Sequence, residues 1–167
     1  MSISFRILIL FALGLGFAVP RFLDWKDGRD ARPGPAAPAA GAQEPGRLTL
    51  FADPAGHFWV EALVNGTHVR FLVDTGASQV ALSRADALRV GLPLEALDYR
   101  HAVATANGVV RVAAHRLDRL ELGPIALRGV EAAIPASDGL DTSLLGMTAL
   151  SRLSRVSVDG NRLVLEP

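Results

Sequence analysis

The octapeptide Phe71-Leu72-Val73-Asp74-Thr75-Gly76-Ala77-Ser78 holds the residue types and the order most suited to chemistry in this chain. Phe71-Leu72-Val73 is a continuous apolar run, the mark of a strand buried on both faces. It ends directly in Asp74, and an ionisable carboxylate there is costly unless it is paired, hydrogen-bonded or used. Thr75 supplies a hydroxyl that can bond backbone or a partner chain. Gly76 permits a tight turn and close backbone approach. Ser78 places a second hydroxyl near the carboxylate. Such a segment can fix a carboxylate at the floor of a cleft, although Asp and Gly also begin ordinary turns.

Two downstream segments bear on the same chemistry. Leu144-Leu145-Gly146-Met147 is an apolar pair followed by glycine, and it leads into residues 147–153, which have helical spacing. Asp141-Thr142-Ser143 looks like a degenerate copy of Asp74-Thr75-Gly76. It follows the turn-like Ser137-Asp138-Gly139 and not an apolar strand, so it reads either as a second carboxylate or as a loop entering Leu144. With no cysteine in the chain, disulfides, thiolate metal sites and a Cys nucleophile are excluded. His57, His68, His101 and His115 lack the spacing of a zinc motif and read as exposed strand or loop residues, so no metal or other cofactor is expected. The formal net charge is zero, which gives no reason to expect nucleic acid as a partner.

The elements that must position these residues are mostly strands. Asn65-Gly66, Asn107-Gly108 and Asp159-Gly160 punctuate residues 47–167, and Asn-Gly between apolar runs is a strong hairpin signal. Phe58, Val60, Ala62 and Val64 alternate before the first turn; Val69, Phe71 and Val73 continue after it. Residues 102–106 and 109–113 flank Asn107-Gly108, and 117–122, 125–134, 155–158 and 163–165 are further strand candidates. Ser83 can cap a short helix over 84–90, closed by Gly91 and Pro93. Many short strands at regular spacing predict a closed or folded-over all-β domain with one or two short helices. Trp59 and Tyr99 read as packing residues.

Three zones precede or contain these elements. Residues 1–23 centre on an unbroken run of apolar residues and glycine over 7–19, which reads as a transmembrane anchor or as a signal peptide cleaved near Gly16-Phe17-Ala18. Residues 24–46 form a linker, with Ala, Pro or Gly at thirteen of the sixteen positions 31–46, and such a stretch stays extended. Residues 47–167 are the folded domain, a normal size for a single core. The positive residues after the apolar run, Arg21, Lys26, Arg29 and Arg32, favour a cytoplasmic C-terminal side by charge count alone.

Taken together, the motifs resemble the retropepsin-like aspartic proteases, most closely the small, N-terminally anchored bacterial type. Residues 71–78 look like the active-site motif, Thr105-Ala106-Asn107-Gly108 like the tip of the flap hairpin, and residues 143–153 like the apolar-apolar-Gly strand and helix that complete the template. The resemblance implies a single-lobe retropepsin-like closed β-barrel, the acid-protease fold. It implies an aspartic endopeptidase in which a water is held between two carboxylates that share one proton. Asp74 would be catalytic, supported by Thr75, Gly76, Ala77 and Ser78, with Leu144, Leu145 and Gly146 as the template strand. One such motif in a domain this small implies a homodimer, with Asp74 of each chain meeting on a twofold axis and Thr75 bonding across it. Thr105, Ala106, Asn107 and Gly108, with Val103, Val109 and Val110 nearby, would close over an extended peptide. Family likeness also implies an inner-membrane, single-pass protein with its catalytic domain in the periplasm, against the charge count. The contrasting expectation is a non-catalytic, membrane-tethered peptide-binding or assembly module with a protease-like fold.

Overall fold

The computed structural model describes residues 46–105 and 108–167. The expected anchor over 1–23, nearly all of the expected linker, and Ala106 and Asn107 of the expected flap tip lie outside the described residues. Among the described residues no helix is long and apolar enough to cross a membrane.

The Asn65-Gly66 turn does what its sequence demands. Asn65 has φ 49° and Gly66 φ 86°, the positive pair that a type I′ turn needs. It joins β2 (Trp59–Val64) to β3 (Thr67–Val73) in a tight antiparallel hairpin. Val60, Ala62 and Val64 point inward from β2, and Val69 and Phe71 from β3. Phe71 is fully buried, but Leu72 and Val73 are only half-buried. The apolar run is therefore not covered on both faces, as its composition led one to expect: Val73 leans on the core and Leu72 faces outward.

Five further strands complete the larger sheet. They are β4 (Val80–Ala81), β5 (His101–Thr105), β6 (Gly108–Leu122), β7 (Ile125–Pro135) and β8 (Ser143–Leu145). The order β2-β3-β8-β4-β7-β6 closes on itself, because Leu63 and Val64 of β2 pair with Glu121 and Leu120 of β6. The result is a closed six-stranded barrel with β5 attached outside the ring, along the distal part of β6. A smaller sheet, β1-β10-β9, joins the two ends of the described chain: β1 (Leu48–Phe51), β10 (Arg162–Glu166) and β9 (Arg155–Asp159).

Helix α1 (Arg84–Arg89) is capped by Ser83, whose hydroxyl accepts from the Asp86 N–H at 3.1 Å. Helix α2 (Met147–Leu150) is a single turn following β8. The core is one cluster: Leu117, Leu120, Leu122, Ile125, Val130, Ile134 and Leu145 are fully or almost fully buried, joined by Leu163 and Leu165 of the small sheet. The fold is mostly β, as expected, with two short helices.

Candidate active site

The register of three strands sets the stage. β3 and β8 run parallel, with Phe71 opposite Ser143, Leu72 opposite Leu144 and Val73 opposite Leu145. Both strands therefore end at the same level, and the chain after each of them, Asp74 and Gly146, emerges side by side. The Asp74 N–H donates to the Leu145 carbonyl at 3.1 Å. The Met147 N–H donates to the Ala77 carbonyl at 2.9 Å, and the Val80 N–H to the Thr148 hydroxyl at 2.9 Å. The loop 74–79 is thus laced at both ends to β8 and α2.

Gly146 is indispensable to this lacing. A Cβ there would meet the Gln79 carbonyl oxygen at 2.1 Å and the Ala77 oxygen at 2.7 Å. Both are backbone atoms that cannot swing aside. Gly76 has a milder constraint, since its Cβ would come within 3.1 Å of Asp74 Oδ1. That oxygen already accepts from the Gly76 N–H at 2.8 Å. The carboxylate is thus held by its own loop, half-buried, with Thr75, Gly76 and Ser78 exposed around it. Among the described residues neither the Thr75 nor the Ser78 hydroxyl has a hydrogen-bond partner; the proximity of Ser78 to Asp74 in sequence produces no bond between them.

Strand alternation continues the picture away from Asp74. Side chains two apart share a face, so Leu72 and Arg70 lie on the same outer side of β3. Leu72 is paired laterally with Trp59 on β2 and with Leu144 on β8, and Leu144 with Ala81 on β4. The row Trp59, Leu72, Leu144, Ala81 forms a half-buried apolar shelf next to the carboxylate. Trp59 is therefore not the packing residue that its type suggested: the Arg70 guanidinium stacks over its ring at 4.4 Å on the outer face. Tyr99 does pack against the core, and its hydroxyl donates to the Leu94 carbonyl at 3.0 Å.

The loop between β1 and β2 borders the shelf. The Val73 N–H, one residue before Asp74, donates to the Phe58 carbonyl at 2.9 Å. Asp53 organises that loop, accepting from the backbone of His57 and Ala55 and from the Trp59 indole, each at 2.9 Å. These donors, the His57 N–H first and the Trp59 indole next, hold the Asp53 carboxyl below the usual carboxylate range.

The expected flap is a two-stranded ribbon. Val112 is the last residue of β6 paired with β7, opposite Pro135; beyond it β6 pairs with β5 alone, up to Thr105 opposite Gly108. The Thr105 hydroxyl donates to the Gly108 carbonyl at 2.8 Å, and Gly108 has φ 110°. Val109 is 74% exposed, while Val103 and Val110 are half-buried. Leu144, Leu145 and Gly146 lie directly against the Asp74 loop.

Asp141 is brought to a different place. The β3–β8 pairing begins at Ser143, opposite Phe71; Asp141 lies two residues before it, in a bend outside the pairing, and lines a pocket with Arg70 and Arg89 at the end of β8 away from Asp74. Even Ser143 is level with Phe71, three extended residues or about 10 Å from Asp74. Within one chain the two carboxylates cannot share a proton.

One buried polar cluster was not anticipated. The Ser143 hydroxyl donates to Asp86 Oδ2 at 2.5 Å and accepts from the Ser83 N–H at 3.0 Å. Asp86 is also ion-paired with Arg89. The sequence did carry a trace of this, since Ser83-x-x-Asp86 is the spacing of a capping box. The hydroxyl inserted from β8, sixty residues away in sequence, has no such local trace.

Comparison with known proteins agrees with this geometry. The family model described as "gag-polyprotein putative aspartyl protease" matches residues 60–152. The "Uncharacterized protein in cobV 5'region" of Sinorhizobium sp is 38% identical over 133 residues, which cover 72% of this chain and 57% of that protein. An uncharacterized protein of Rickettsia prowazekii (strain Madrid E) is 34% identical over 122 residues, covering 73% of this chain and 52% of the relative. The chain thus spans about half the length of the curated relatives it matches. The crystal structure of a retropepsin-like aspartic protease from Rickettsia conorii superposes with a TM-score of 0.66 at 35% identity, covering 73% of this chain and all of that one. The family model over residues 60–152 and the likeness to the Rickettsia conorii structure show that the chain belongs to the retropepsin-like family of aspartic proteases.

Proposed function

We propose that this protein is an aspartic endopeptidase, with Asp74 as its catalytic carboxylate and a homodimer as its working form. The observation that carries the reading is the Asp74 loop itself. A half-exposed carboxylate is held by the Gly76 N–H and fixed to a parallel strand through Leu145 and Gly146, next to an apolar shelf. A loop serving only as a turn has no need of these restraints around a carboxylate that, among the described residues, pairs with no cation.

The chemistry needs a second carboxylate. Two carboxylates in contact share one proton, so that one takes a proton from water while the other polarises the peptide carbonyl. Asp141 is too distant to be the partner, which favours Asp74 of a second copy across a twofold axis. The free Thr75 hydroxyl fits a bond across that axis, and Gly76 and Ala77 leave room for close approach. The β5–β6 ribbon, with Thr105, Ala106, Asn107 and Gly108 at its tip, would cover an extended peptide substrate with backbone donors and acceptors. In the same reading residues 1–23 anchor the chain in the inner membrane, residues 24–46 act as a stalk, and the domain faces the periplasm.

The test is cleavage of a mixed peptide library by the full-length chain from acidic to neutral pH, beside Asp74→Asn. The parent should cleave, and the variant should lose at least about a thousandfold in rate, as expected when an essential acid–base group is removed. Silence of both proteins at concentrations where the chain is dimeric would point instead to a peptide-binding module.

A further inference from the structure

Beyond the apolar shelf, on the side away from Asp74, lies a polar cleft of about 260 Å³. Trp59 and Arg70 form one wall, Arg89 of α1 another, and Asp141 and Thr142 a third. Its volume falls below the ~300–1,000 Å³ of pockets that enclose whole small ligands, but suits one long side chain.

The charges in the cleft are unequally committed. Arg89 is ion-paired with Asp86, which also takes the Ser143 hydroxyl. Arg70 is stacked on Trp59, and its Nε lies 3.7 Å from Glu61. Asp141, exposed at the rim, has no ion-pair or hydrogen-bond partner among the described residues. The unspent charge of the cleft is therefore negative. The indole beside it already holds one cation on its face, the kind of surface that suits the stem and head of a second.

The position of the cleft has a length attached. Arg70, on the cleft wall, lies four residues before Asp74 along β3. Four extended residues span about 13 Å. A peptide running extended from Asp74 across the shelf, parallel to β3, would bring its third or fourth residue from the scissile bond over the cleft.

We propose that Asp141 is a specificity-determining residue, and that the cleft it borders with Trp59 receives a lysine or arginine side chain three or four residues from the cleaved bond. This rests on the reading of Asp74 as the catalytic carboxylate of a peptidase. An acidic side chain would find both guanidiniums already partnered and would face Asp141; an apolar one would gain nothing over the adjoining shelf.

The test separates this inference from the activity it rests on. Dye-labelled, valine- and alanine-rich decapeptides carry Lys, Ala or Glu at one position, stepped along the peptide. Their binding to full-length Asp74→Asn is read by fluorescence anisotropy, so no turnover is needed. The best-placed Lys peptide should bind about threefold to fivefold more tightly than its Ala counterpart, the range of a partly exposed ion pair. That advantage should vanish in Asp74→Asn/Asp141→Asn and shrink at high salt. Equal binding of Lys and Ala peptides, tighter binding of the Glu peptide, or a Lys advantage that survives Asp141→Asn would each overturn the proposal. So would the absence of any peptide binding. Failure of the peptidase reading shows separately, as a parent chain that cleaves nothing while the Lys advantage in binding persists.

Discussion

Ser143 carries more than its size suggests. Its hydroxyl sits between the Asp86 carboxylate and the Ser83 N–H, so one buried group satisfies an acceptor on α1 and a donor at its cap. It also occupies the first position of β8, two residues before the carbonyl that receives the Asp74 N–H. Removing the hydroxyl strands the Ser83 N–H and leaves Asp86 Oδ2 without its donor, although Arg89 still holds Asp86 Oδ1, and buried groups stranded in this way cost more than a hydrogen bond contributes when made. Ser143→Ala should therefore lower the unfolding free energy by about 2–4 kcal/mol, measured by urea denaturation. Ser143→Thr, which keeps the hydroxyl but adds a methyl group in a full core, should show the separate signature of overpacking. A loss below about 0.5 kcal/mol in Ser143→Ala, the scale of ordinary surface changes, would mean that the cluster is not a structural clasp.

At the scale of elements, the β5–β6 ribbon carries the most exposed large apolar side chain among the described residues. Val109 stands 74% exposed on a two-stranded arm that leaves the barrel at Val112. An apolar side chain so placed contributes little to the fold. Val109→Ser should leave the urea midpoint unchanged within about 0.5 kcal/mol. It should raise the KM for peptide cleavage about threefold or more, because the lost contact is with substrate. An unchanged KM would remove Val109 from the cleft. Much of the hairpin layout was readable in advance: Asn65-Gly66 takes positive φ at both positions, and the helix capped by Ser83 begins at Arg84, whereas the β9–β10 turn is one residue later than its sequence suggested, at Gly160-Asn161, with Asp159 still paired in β9. What could not be read was where the inward face changes. Residues 109–113 and 117–122 looked like separate strands, yet β6 runs unbroken from Gly108 to Leu122. Leu117 and Leu120 are both fully buried although three apart, so the buried side switches between them. The switch lies opposite Gly129, with φ 60° and with the Arg116 guanidinium where a Cβ would be. A period-two pattern cannot report such a twist, because the cause sits on the neighbouring strand. β4 was missed for a simpler reason: two residues make no period. For the candidate site, Asp74 and Gly146 were legible because backbone geometry dictates their types, whereas the shelf of Trp59, Leu72, Leu144 and Ala81 exists only through lateral register.

For the whole molecule, the question is whether one closed barrel can work alone. The barrel leaves a single Asp-Thr-Gly loop per chain, and the other candidate carboxylate lies at the wrong end of β8. If two copies meet at Asp74, activity belongs to the pair and not to the chain. Below the dissociation constant of the dimer, the initial rate should then rise with the square of the chain concentration. Mixing offers a sharper form of the same argument. At concentrations where all chains are paired, an equal amount of Asp74→Asn is added to a fixed amount of parent and allowed to exchange. Parent–parent pairs fall to half their starting number, and mixed pairs hold only one ionisable Asp74 at the site. The measured rate should fall to about half, since a mixed dyad lacks one of the two acid–base groups. A single-chain active site would not respond to the added variant at all, and a rate linear in chain concentration through the dissociation range would say the same from the other direction.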